Sequence, residues 1–485
     1  MPQAEERPGT GGTAPPLRRI GRRTMLAYGF GATAYGVKDF GFSTFLLFFF
    51  NQVMGLPAGQ VGLAIMCALL LDAFIDPAIG SLSDRTRSRW GRRHPWMYAS
   101  AIPIVVGWLL LWNPPHLASG AMLIWVFAMS VVVRAAVSAY EVPSQALSPE
   151  LSGDYDERTR IMAYRYLFGW AGGLGMLMIS YGWFLAPEPG QTSGLLNRDG
   201  YVGFAICGAV AMLVAILVSA LGTHDQIPQL QKAVVTETSV GAHFRELLET
   251  VRNRAFVILM GAGLCYYSAQ GISFALSNYL YTHVWGFRGG DFQWLGLILL
   301  LGAGGAFLIA PRLGRRFGKP RAAMAFMAGA ALLLSLPYFL RIAGLFPPVG
   351  SPAMLPLLLG IFTVNAVCAI SSTILGASMM ADVVEHSEIS TGRRSEGVFF
   401  AGGFFIQKCT TGLGILIAGQ ILSFTGFPEA AAPGTVPVVT IDRLTITFAL
   451  LYLGLGMCAA LLYRRFPFGR AEHTARIERL AADAG

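Results

Sequence analysis

Two acidic residues, Asp72 and Asp76, lie in a long apolar segment, LLLDAFIDPAIG, which is followed by an arginine-rich loop. Residues four apart share one face of a helix, so a helix through this segment places both carboxylates side by side. Carboxylates in an apolar span are costly unless a cation, a proton or a basic side chain neutralises them. The pattern therefore predicts a pair that binds a cation or a proton.

Other apolar segments also contain ionisable residues. In one of them polar residues recur at i, i+4, i+7 and i+11, which forms one stripe on a helix: Arg134, Ser138, Glu141 and Gln145. Four acids face four bases in these segments: Asp39, Asp72, Asp76 and Glu141, with Lys38, Arg134, Arg165 and Lys408. Such a set either forms a static salt-bridge network, or it lets a basic residue compete with a cation for the same carboxylates. The two interpretations are compatible.

The composition places these residues in a membrane. Of the 485 residues, 54% are hydrophobic and only 13% are charged, and the mean hydropathy is +0.55. Soluble domains carry about 25% charged residues. The net charge of +9 would suit nucleic-acid binding, but the basic residues occupy short loops between apolar segments. The positive-inside rule explains that placement, and no nucleic-acid partner is expected.

Twelve apolar segments are long enough to cross a bilayer. They lie at residues 25–53, 59–84, 96–113, 118–148, 161–186, 201–222, 254–285, 290–310, 321–342, 353–384, 396–425 and 442–464. Together they predict an all-α membrane protein with twelve transmembrane helices.

Six spans, a long connection and six more spans predict two six-helix halves. The predicted parts are a cytoplasmic tail (1–24), a first bundle (25–222), a cytoplasmic linker (223–253), a second bundle (254–465) and a C-terminal tail (466–485). The loops GSLSDRTRSRWGRR and APRLGRRFGKPR occupy matching positions in the two halves. Paired halves around a midplane cavity are a common plan among transporters.

Basic residues precede span one and follow the even-numbered spans, whereas the opposite loops carry few: Arg198, Arg288, Arg341 and Arg443. Because basic loops stay in the cytoplasm, both termini are expected there. The chain is expected to be a multi-pass protein of the plasma membrane, which is the inner membrane in bacteria. A chain with this plan encloses its own cavity, so a monomer is the default expectation.

Charged residues at the inner ends of spans two and ten form a candidate cytoplasmic gate: Asp84, Arg85, Arg92, Arg93, Asp382 and Glu385. Arg393 and Arg394 follow span ten and could pair with its acids. The alternative is a solvated ion-pair cluster with no gating role.

Motifs of other protein classes are missing. The six cysteines all lie in apolar segments without a CxxC pair, which argues against a disulfide framework or a zinc site. There is no HExxH or GxSxG sequence, so an enzyme is not favoured. No cofactor is expected apart from a coupling ion. A membrane sensor that transports nothing remains an alternative.

Four segments carry a family resemblance: YGFGATAYGVKDF, LLLDAFIDPAIGSLSDRTRSRWGRRHPW, ADVVEHSE and the surroundings of Lys408. Together they resemble the glycoside–pentoside–hexuronide:cation symporters of the major facilitator superfamily. The resemblance covers nearly all of residues 25–465 and implies uptake of a sugar, coupled to sodium, lithium or protons, by alternating access.

The resemblance also implies roles for individual residues. Asp72 and Asp76 would be the cation carboxylates, and metal ligands if the ion is sodium. Ser138 stands where the family has a threonine that contributes a cation ligand. The implied substrate-binding residues are Lys38, Asp39, Glu141, Gln145, Arg165 and Lys408, of which Lys408 would lie between the two sites.

Three positions depart from the family pattern. Ile75 replaces an amide that helps to bind sodium, and the loss of an oxygen ligand favours a proton. Gln145 replaces a tryptophan that stacks on the sugar, and span ten has no tryptophan. The substrate is therefore a different sugar, a glycoside or a more apolar molecule. A proton-coupled carrier of an amphiphile such as a lysolipid remains the alternative.

Overall fold

The structure is a computed structural model that describes residues 20–152, 155–188, 193–229, 253–391 and 396–467. Most of the predicted tails and linker (1–24, 223–253 and 466–485) falls outside these ranges. Arg393 and Arg394 lie outside them as well. The described part of the chain is built from helices and contains no strand, which confirms the all-α prediction.

Among the described residues, the first half contains seven α-helices: α1 (Arg22–Phe30), α2 (Ala32–Phe40), α3 (Ala58–Arg85), α4 (His94–Trp112), α5 (Ser119–Leu151), α6 (Tyr155–Ile179) and α7 (Arg198–Gly222). Span one consists of α1, α2 and two π-helical segments, Gly41–Leu46 and Phe49–Val53. Span five consists of α6 and the π-helical segment Ser180–Phe184. Short 3-10 helices, Gly194–Leu196 and His224–Gln229, flank α7.

The second half contains six α-helices: α8 (Arg254–Tyr279), α9 (Gln293–Phe317), α10 (Lys319–Ile342), α11 (Met354–Thr391), α12 (Glu396–Thr425) and α13 (Val438–Arg464). A π-helical segment, Leu280–Val284, continues α8. Every predicted span is thus helical. Ten helical stretches among the described residues are long and apolar enough to cross a membrane. Spans one and five are interrupted by π-helical segments and are not among the ten, so it remains a prediction that they cross the membrane.

The irregular part of span one begins directly after Lys38 and Asp39. The first π-helical segment starts at Gly41, two residues beyond Asp39, and the hydroxyl of Ser43 donates to the Asp39 carbonyl oxygen at 2.7 Å. Short π-helical turns occur frequently at functional sites, where they redirect side chains. The Lys38–Asp39 pair therefore lies where the geometry of the helix changes.

The two halves pack closely where α3 crosses α12 and where α8 meets the first π-helical segment. At the first crossing, a Cβ added to Gly419 would lie 2.4 Å from the carbonyl oxygen of Ala58. No larger residue fits at Gly419 unless the helices separate. This close approach brings α12 against the helix that carries the acid pair.

Buried neutral side chains join the halves at the outer end, which is the end predicted to face away from the cytoplasm. The amide of Asn278 donates to the carbonyl of Thr44 at 2.9 Å and accepts from the hydroxyl of Tyr181 at 2.6 Å. The hydroxyl of Tyr279 donates to the amide oxygen of Asn51 at 2.9 Å. Apart from Thr44, these side chains are at most 2% exposed.

Gln52 extends this network to the loop before α13. Its Nε2 donates to the carbonyl of Pro428 at 3.1 Å, and its Oε1 accepts from the N–H of Ala431 at 2.9 Å. We call this group of residues the outer seal: Asn51, Gln52, Tyr181, Asn278 and Tyr279. The bundle is thus closed at its outer end.

Candidate cation and substrate site

Asp72 is buried between the halves and accepts three hydrogen bonds. Its Oδ1 accepts from the hydroxyl of Ser138 at 3.0 Å. Its Oδ2 accepts from Arg134 Nη2 and from Lys408 Nζ, both at 3.0 Å. The Asp72 side chain is 3% exposed. A carboxylate this deeply buried requires such partners, because an unpaired charge is very costly in an apolar surrounding.

Asp76 lies one turn further along α3 and shares Lys408 with Asp72. Lys408 Nζ contacts Asp76 Oδ2, whereas the buried Asp76 Oδ1 has no hydrogen-bond partner among the described residues. Pro77 follows Asp76 and has no N–H, so it cannot bond to the carbonyl of Ala73. Free acceptor oxygens therefore remain in the turn that contains the acid pair.

We call these residues the acid-pair cluster: Asp72, Asp76, Arg134, Ser138 and Lys408. Two carboxylates and two cations make its net charge zero. Lys408 belongs to α12 in the second half, and the other members belong to α3 and α5 in the first half. The cluster is therefore an ionic contact between the two halves at the centre of the bundle.

A second group of charges surrounds Glu141. Its Oε1 accepts from Arg165 Nη2 at 2.6 Å and from the amide of Gln145 at 2.8 Å. Arg165 Nη1 donates to the hydroxyl of Ser144 at 2.7 Å, and its guanidinium lies 5.2 Å from the ring centre of Tyr28. The other carboxylate oxygen, Glu141 Oε2, has no partner among the described residues. Glu141 therefore keeps one oxygen free to accept a hydrogen bond.

Lys38 and Asp39 lie between these groups. Lys38 Nζ is 3.6 Å from Asp39 Oδ1 and 4.3 Å from the ring centre of Tyr35. Lys38 also interacts electrostatically with Asp72, and Tyr35 does so with both Asp72 and Glu141. The predicted cation-binding and substrate-binding residues therefore converge on one region. The Asp39 side chain is 48% exposed, which sets it apart from its buried neighbour Lys38.

The polar stripe on α5 serves both groups. Its first two members, Arg134 and Ser138, bind Asp72, and its last two, Glu141 and Gln145, bond to each other beside Arg165. A helix rises about 1.5 Å per residue, so one straight stripe reaches two sites about two turns apart. The stripe and its division between a cation site and a substrate site were predicted, whereas the contact of Arg134 with Asp72 was not.

The candidate gate of the first half is an ion-pair cluster within that half. Arg93 pairs with Asp84 at 2.5 Å and with Glu150 at 3.3 Å, and it donates to the hydroxyl of Ser83 at 2.8 Å. Arg92 pairs with the same Glu150 oxygen at 2.6 Å. These contacts hold the inner ends of α3, α4 and α5 together.

The candidate gate of the second half is also internal. Lys319, which begins α10, donates to both carboxylate oxygens of Asp382 on α11 at 2.6 and 2.7 Å. Arg85 and Glu385 form no ion pair with any described residue. No hydrogen bond or ion pair joins a gate residue to a described residue of the opposite half, and gating remains a prediction.

Sequence reasoning missed several partners. Glu150 binds the predicted residues Arg92 and Arg93, and Ser144 binds the predicted Arg165. Asn278 links three spans at the outer seal. Ser144 lies one turn from Glu141, so helical spacing could have found it. Asn278 carries no such signal, because a neutral amide in a span is often only a packing group.

A family model described as MFS/sugar transport protein matches residues 27–470. An uncharacterized symporter of Synechocystis is 26% identical, over 91% of this chain and 94% of the relative. The isoprimeverose transporter of Lactiplantibacillus pentosus is 25% identical, over 89% of this chain and 88% of the relative. These matches extend over both halves of the bundle.

Solved structures share the fold. A bacterial homolog of the human lysosomal transporter Spinster, in an inward-facing and unoccupied conformation, superposes with a TM-score of 0.64 at 16% identity. The match covers 92% of this chain and 96% of that structure. At this identity the likeness establishes the architecture alone.

Proposed function

Because this chain belongs to the family of MFS/sugar transport proteins, we propose that it is a cation-coupled symporter of a sugar or glycoside. One observation carries the proposal: the buried Asp72 and the partly exposed Asp76 are both held by one lysine from the opposite half. A cation that replaces this lysine alters the contact between the halves. Ion binding and conformational change are thereby linked at one place.

Family membership confirms several predictions from the sequence. The chain is an integral, multi-pass carrier of the major facilitator fold that works as a secondary transporter by alternating access. It is a carrier and not an enzyme. The relatives are themselves named as symporters or sugar transporters, which supports a sugar or glycoside as the substrate.

Lys408 acts as a tethered cation in this proposal. With Lys408 and Arg134 in place, the acid-pair cluster is neutral, so a further cation would leave it with a net positive charge. Bound ion and Lys408 therefore compete for the same oxygens. When the ion enters, Lys408 withdraws, and the ionic contact between α3 and α12 is released.

The ion is a proton, sodium or lithium. The side-chain oxygens available to a metal ion belong to Asp72, Asp76 and Ser138, and the carbonyl of Ala73 lies in the same turn. Ile75 contributes no oxygen, which favours the proton, since hard metal ions need several oxygen ligands. A proton on Asp76 would weaken its contact with Lys408 just as a metal ion would.

The substrate occupies the other side of the region. Asp39 and the free oxygen of Glu141 accept hydrogen bonds from sugar hydroxyls, and Arg165 holds Glu141 in place. Lys38 and Gln145 flank these acceptors. Lys408 lies between the two sites, so its release by the ion changes the surroundings of the substrate. Coupling then follows because both ligands favour the same conformation.

The test is uptake by proteoliposomes with either a sodium gradient or a proton gradient, using isoprimeverose and a panel of other glycosides. The Asp72→Asn and Asp76→Asn variants should lose gradient-driven accumulation by about 5- to 150-fold, the usual range of coupling between two ligands. Exchange of substrate without a gradient should persist, because the binding residues are intact. Asp442→Asn is the control, since Asp442 pairs with Arg341 at 2.9 Å away from the site.

Gradient-driven uptake that is unchanged in both acid-pair variants would reject the cation site. Uptake by wild-type protein that ignores both gradients would reject symport altogether. The gradient that drives uptake in the wild-type protein identifies the ion.

A pocket on the outer surface supports an amphiphile as the second candidate substrate. It has a volume of about 400 Å³ and is lined by Met178, Ile179, Gly182, Trp183, Phe184 and Gln293. Span five and α9 flank it, so it lies at the boundary between the halves and opens towards the lipid. Transport of lysolipids in the same proteoliposomes, without uptake of any glycoside, would favour this candidate.

The membrane location, the orientation and the partners of the protein follow from the same proposal. We place the protein as a monomer in the bacterial inner membrane, with both termini in the cytoplasm and with lipid and a small molecule as its only partners. No cofactor beyond the coupling ion is proposed. Labelling of cysteines introduced near each terminus, in intact and in lysed cells, tests the orientation.

A further inference from the structure

We infer that the site selects neutral glycosides and rejects uronides, which carry a carboxylate in place of the C6 hydroxymethyl group. This inference rests on the proposed function and adds the charge of the substrate to it. The argument comes from which charged groups the site exposes and which it conceals.

The exposed or unpaired groups are acceptors. The carboxylate of Asp39 is 48% exposed, and its only ion-pair partner among the described residues, Lys38, is 3.6 Å away. Glu141 Oε2 is buried and has no partner in the same ranges. Carboxylates accept hydrogen bonds, and a sugar hydroxyl donates them. Both side chains therefore suit the hydroxyls of a sugar.

The cations, by contrast, are buried and already paired. The Arg165 side chain is 4% exposed, and both of its Nη atoms are bonded within the first half. The Lys38 side chain is also 4% exposed, and Arg134 is 6% exposed beside Asp72. The charge of each of these three cations is therefore already balanced by a carboxylate of the site: Asp39, Asp72 and Glu141.

Lys408 is the most accessible cation of the site, with 22% of its side chain exposed. It is nevertheless held by both Asp72 and Asp76, and it is the group that the coupling ion displaces. Its charge is committed to the acid pair in this conformation. A uronide would therefore bring its carboxylate to Asp39 and Glu141 without a free cation.

This arrangement discriminates between neutral glycosides and uronides, because the carboxylates of the site repel the carboxylate of a uronide. A carboxylate that enters a partly buried site loses water, and it needs a charged partner to compensate. Like charges placed together make the wrong ligand unfavourable, which is an effective source of specificity. A hydroxymethyl group at the same position brings a donor instead. One difference at C6 should therefore decide whether a glycoside binds.

Matched ligands test this directly. Full-length protein in proteoliposomes is offered 4-nitrophenyl β-D-glucoside or 4-nitrophenyl β-D-glucuronide, and the galactoside and galacturonide form a second pair. Within each pair the ligands differ only at C6. Competition against a transported glycoside gives relative affinities. We expect each neutral ligand to bind roughly tenfold or more tightly than its uronide, since each uronide lacks a partner in the site.

Equal or tighter binding of a uronide, with neutral glycosides still transported, would overturn this inference and leave the proposed function intact. If no ligand of either pair competes and no glycoside is transported, the proposed function fails and the inference fails with it. The wild-type affinity ratio decides between these outcomes, so the test does not depend on any variant folding.

Two variants sharpen the assignment. Asp39→Asn removes the exposed charge but keeps an acceptor of the same shape, so it should reduce the preference for the neutral ligand several-fold. Asp84→Asn removes a charge that is similarly exposed, at 51%, but lies at the inner end, and it should leave the ratio unchanged. An unaltered ratio in Asp39→Asn would show that Asp39 does not set the selectivity.

Discussion

The outer seal and the inner ion-pair clusters hold the bundle together in opposite ways. The outer seal is neutral, buried and built from hydrogen bonds that cross between the halves. The inner clusters are charged and partly exposed, and each joins helices within one half. At the outer end the bundle thus uses amides and hydroxyls between the halves, and at the inner end it uses ions within each half. The acid-pair cluster, an ionic contact between the halves, lies at the centre.

This difference follows from what each region must do when the halves rock. A buried neutral hydrogen bond has a small net free energy, so a contact made of a few of them can open and close. Buried ion pairs are costly to break, because each charge is left without a partner. We therefore expect the inner clusters to move as units with their own half and the outer seal to be the contact that opens.

The largest effect is expected at the most buried cation of the inner clusters, Arg93, whose side chain is 7% exposed. Arg93→Met removes the ion pairs to Asp84 and Glu150 and the hydrogen bond to Ser83, and it leaves Glu150 with Arg92 alone. This should destabilise the first half by about 3 kcal/mol, since each hydrogen bond to a charged group contributes about 1.5–3 kcal/mol. Since the hydrogen bonds and ion pairs of Arg93 with described residues lie within that half, the distribution between outer-open and outer-closed states should not change. Thermal unfolding in detergent measures the loss of stability. Spin-label distances across the outer end measure the distribution between the outer-open and outer-closed states. A large change in the distances would mean that this cluster is a gate after all.

The next effect breaks the outer seal. Asn278→Leu removes the bonds to Thr44 and Tyr181, which should favour the outer-open state by about 1–3 kcal/mol, or roughly 5- to 150-fold in population. The same spin-label distances report this shift. Asn365→Leu is the matched control, because Asn365 donates to the Ala330 carbonyl at 2.8 Å within the second half. Equal shifts in both variants would show that the outer seal has no special role.

The smallest effect concerns the exposed ion pair of the second half. The Lys319 side chain is 40% exposed and that of Asp382 is 21% exposed. Lys319→Met should therefore change stability by less than about 1 kcal/mol, since solvent screens such pairs. Thermal unfolding at low and high salt measures it. A loss as large as that in Arg93→Met would contradict the ranking by burial.

The sequence by itself determined the membrane setting and the helices, and it singled out the charged residues of the candidate site. Span lengths follow from hydropathy, which is a local property, and the boundaries of α3 differ by one residue from those predicted. Asp72 and Asp76 are conspicuous because a charge in an apolar span is rare. Helical spacing also aligned Arg134, Ser138, Glu141 and Gln145 correctly on one face.

Only the tertiary structure decided which of these charges meet. Lys408 and Asp72 are separated by 336 residues, and no spacing rule links residues on different helices. Packing of α3 against α12 brings them together, and it leaves Asp39 exposed while Arg165 is concealed. The outer seal could not be predicted for the same reason. Its neutral amides and hydroxyls are recognisable as a contact between the halves only when their hydrogen-bond partners on other helices are known.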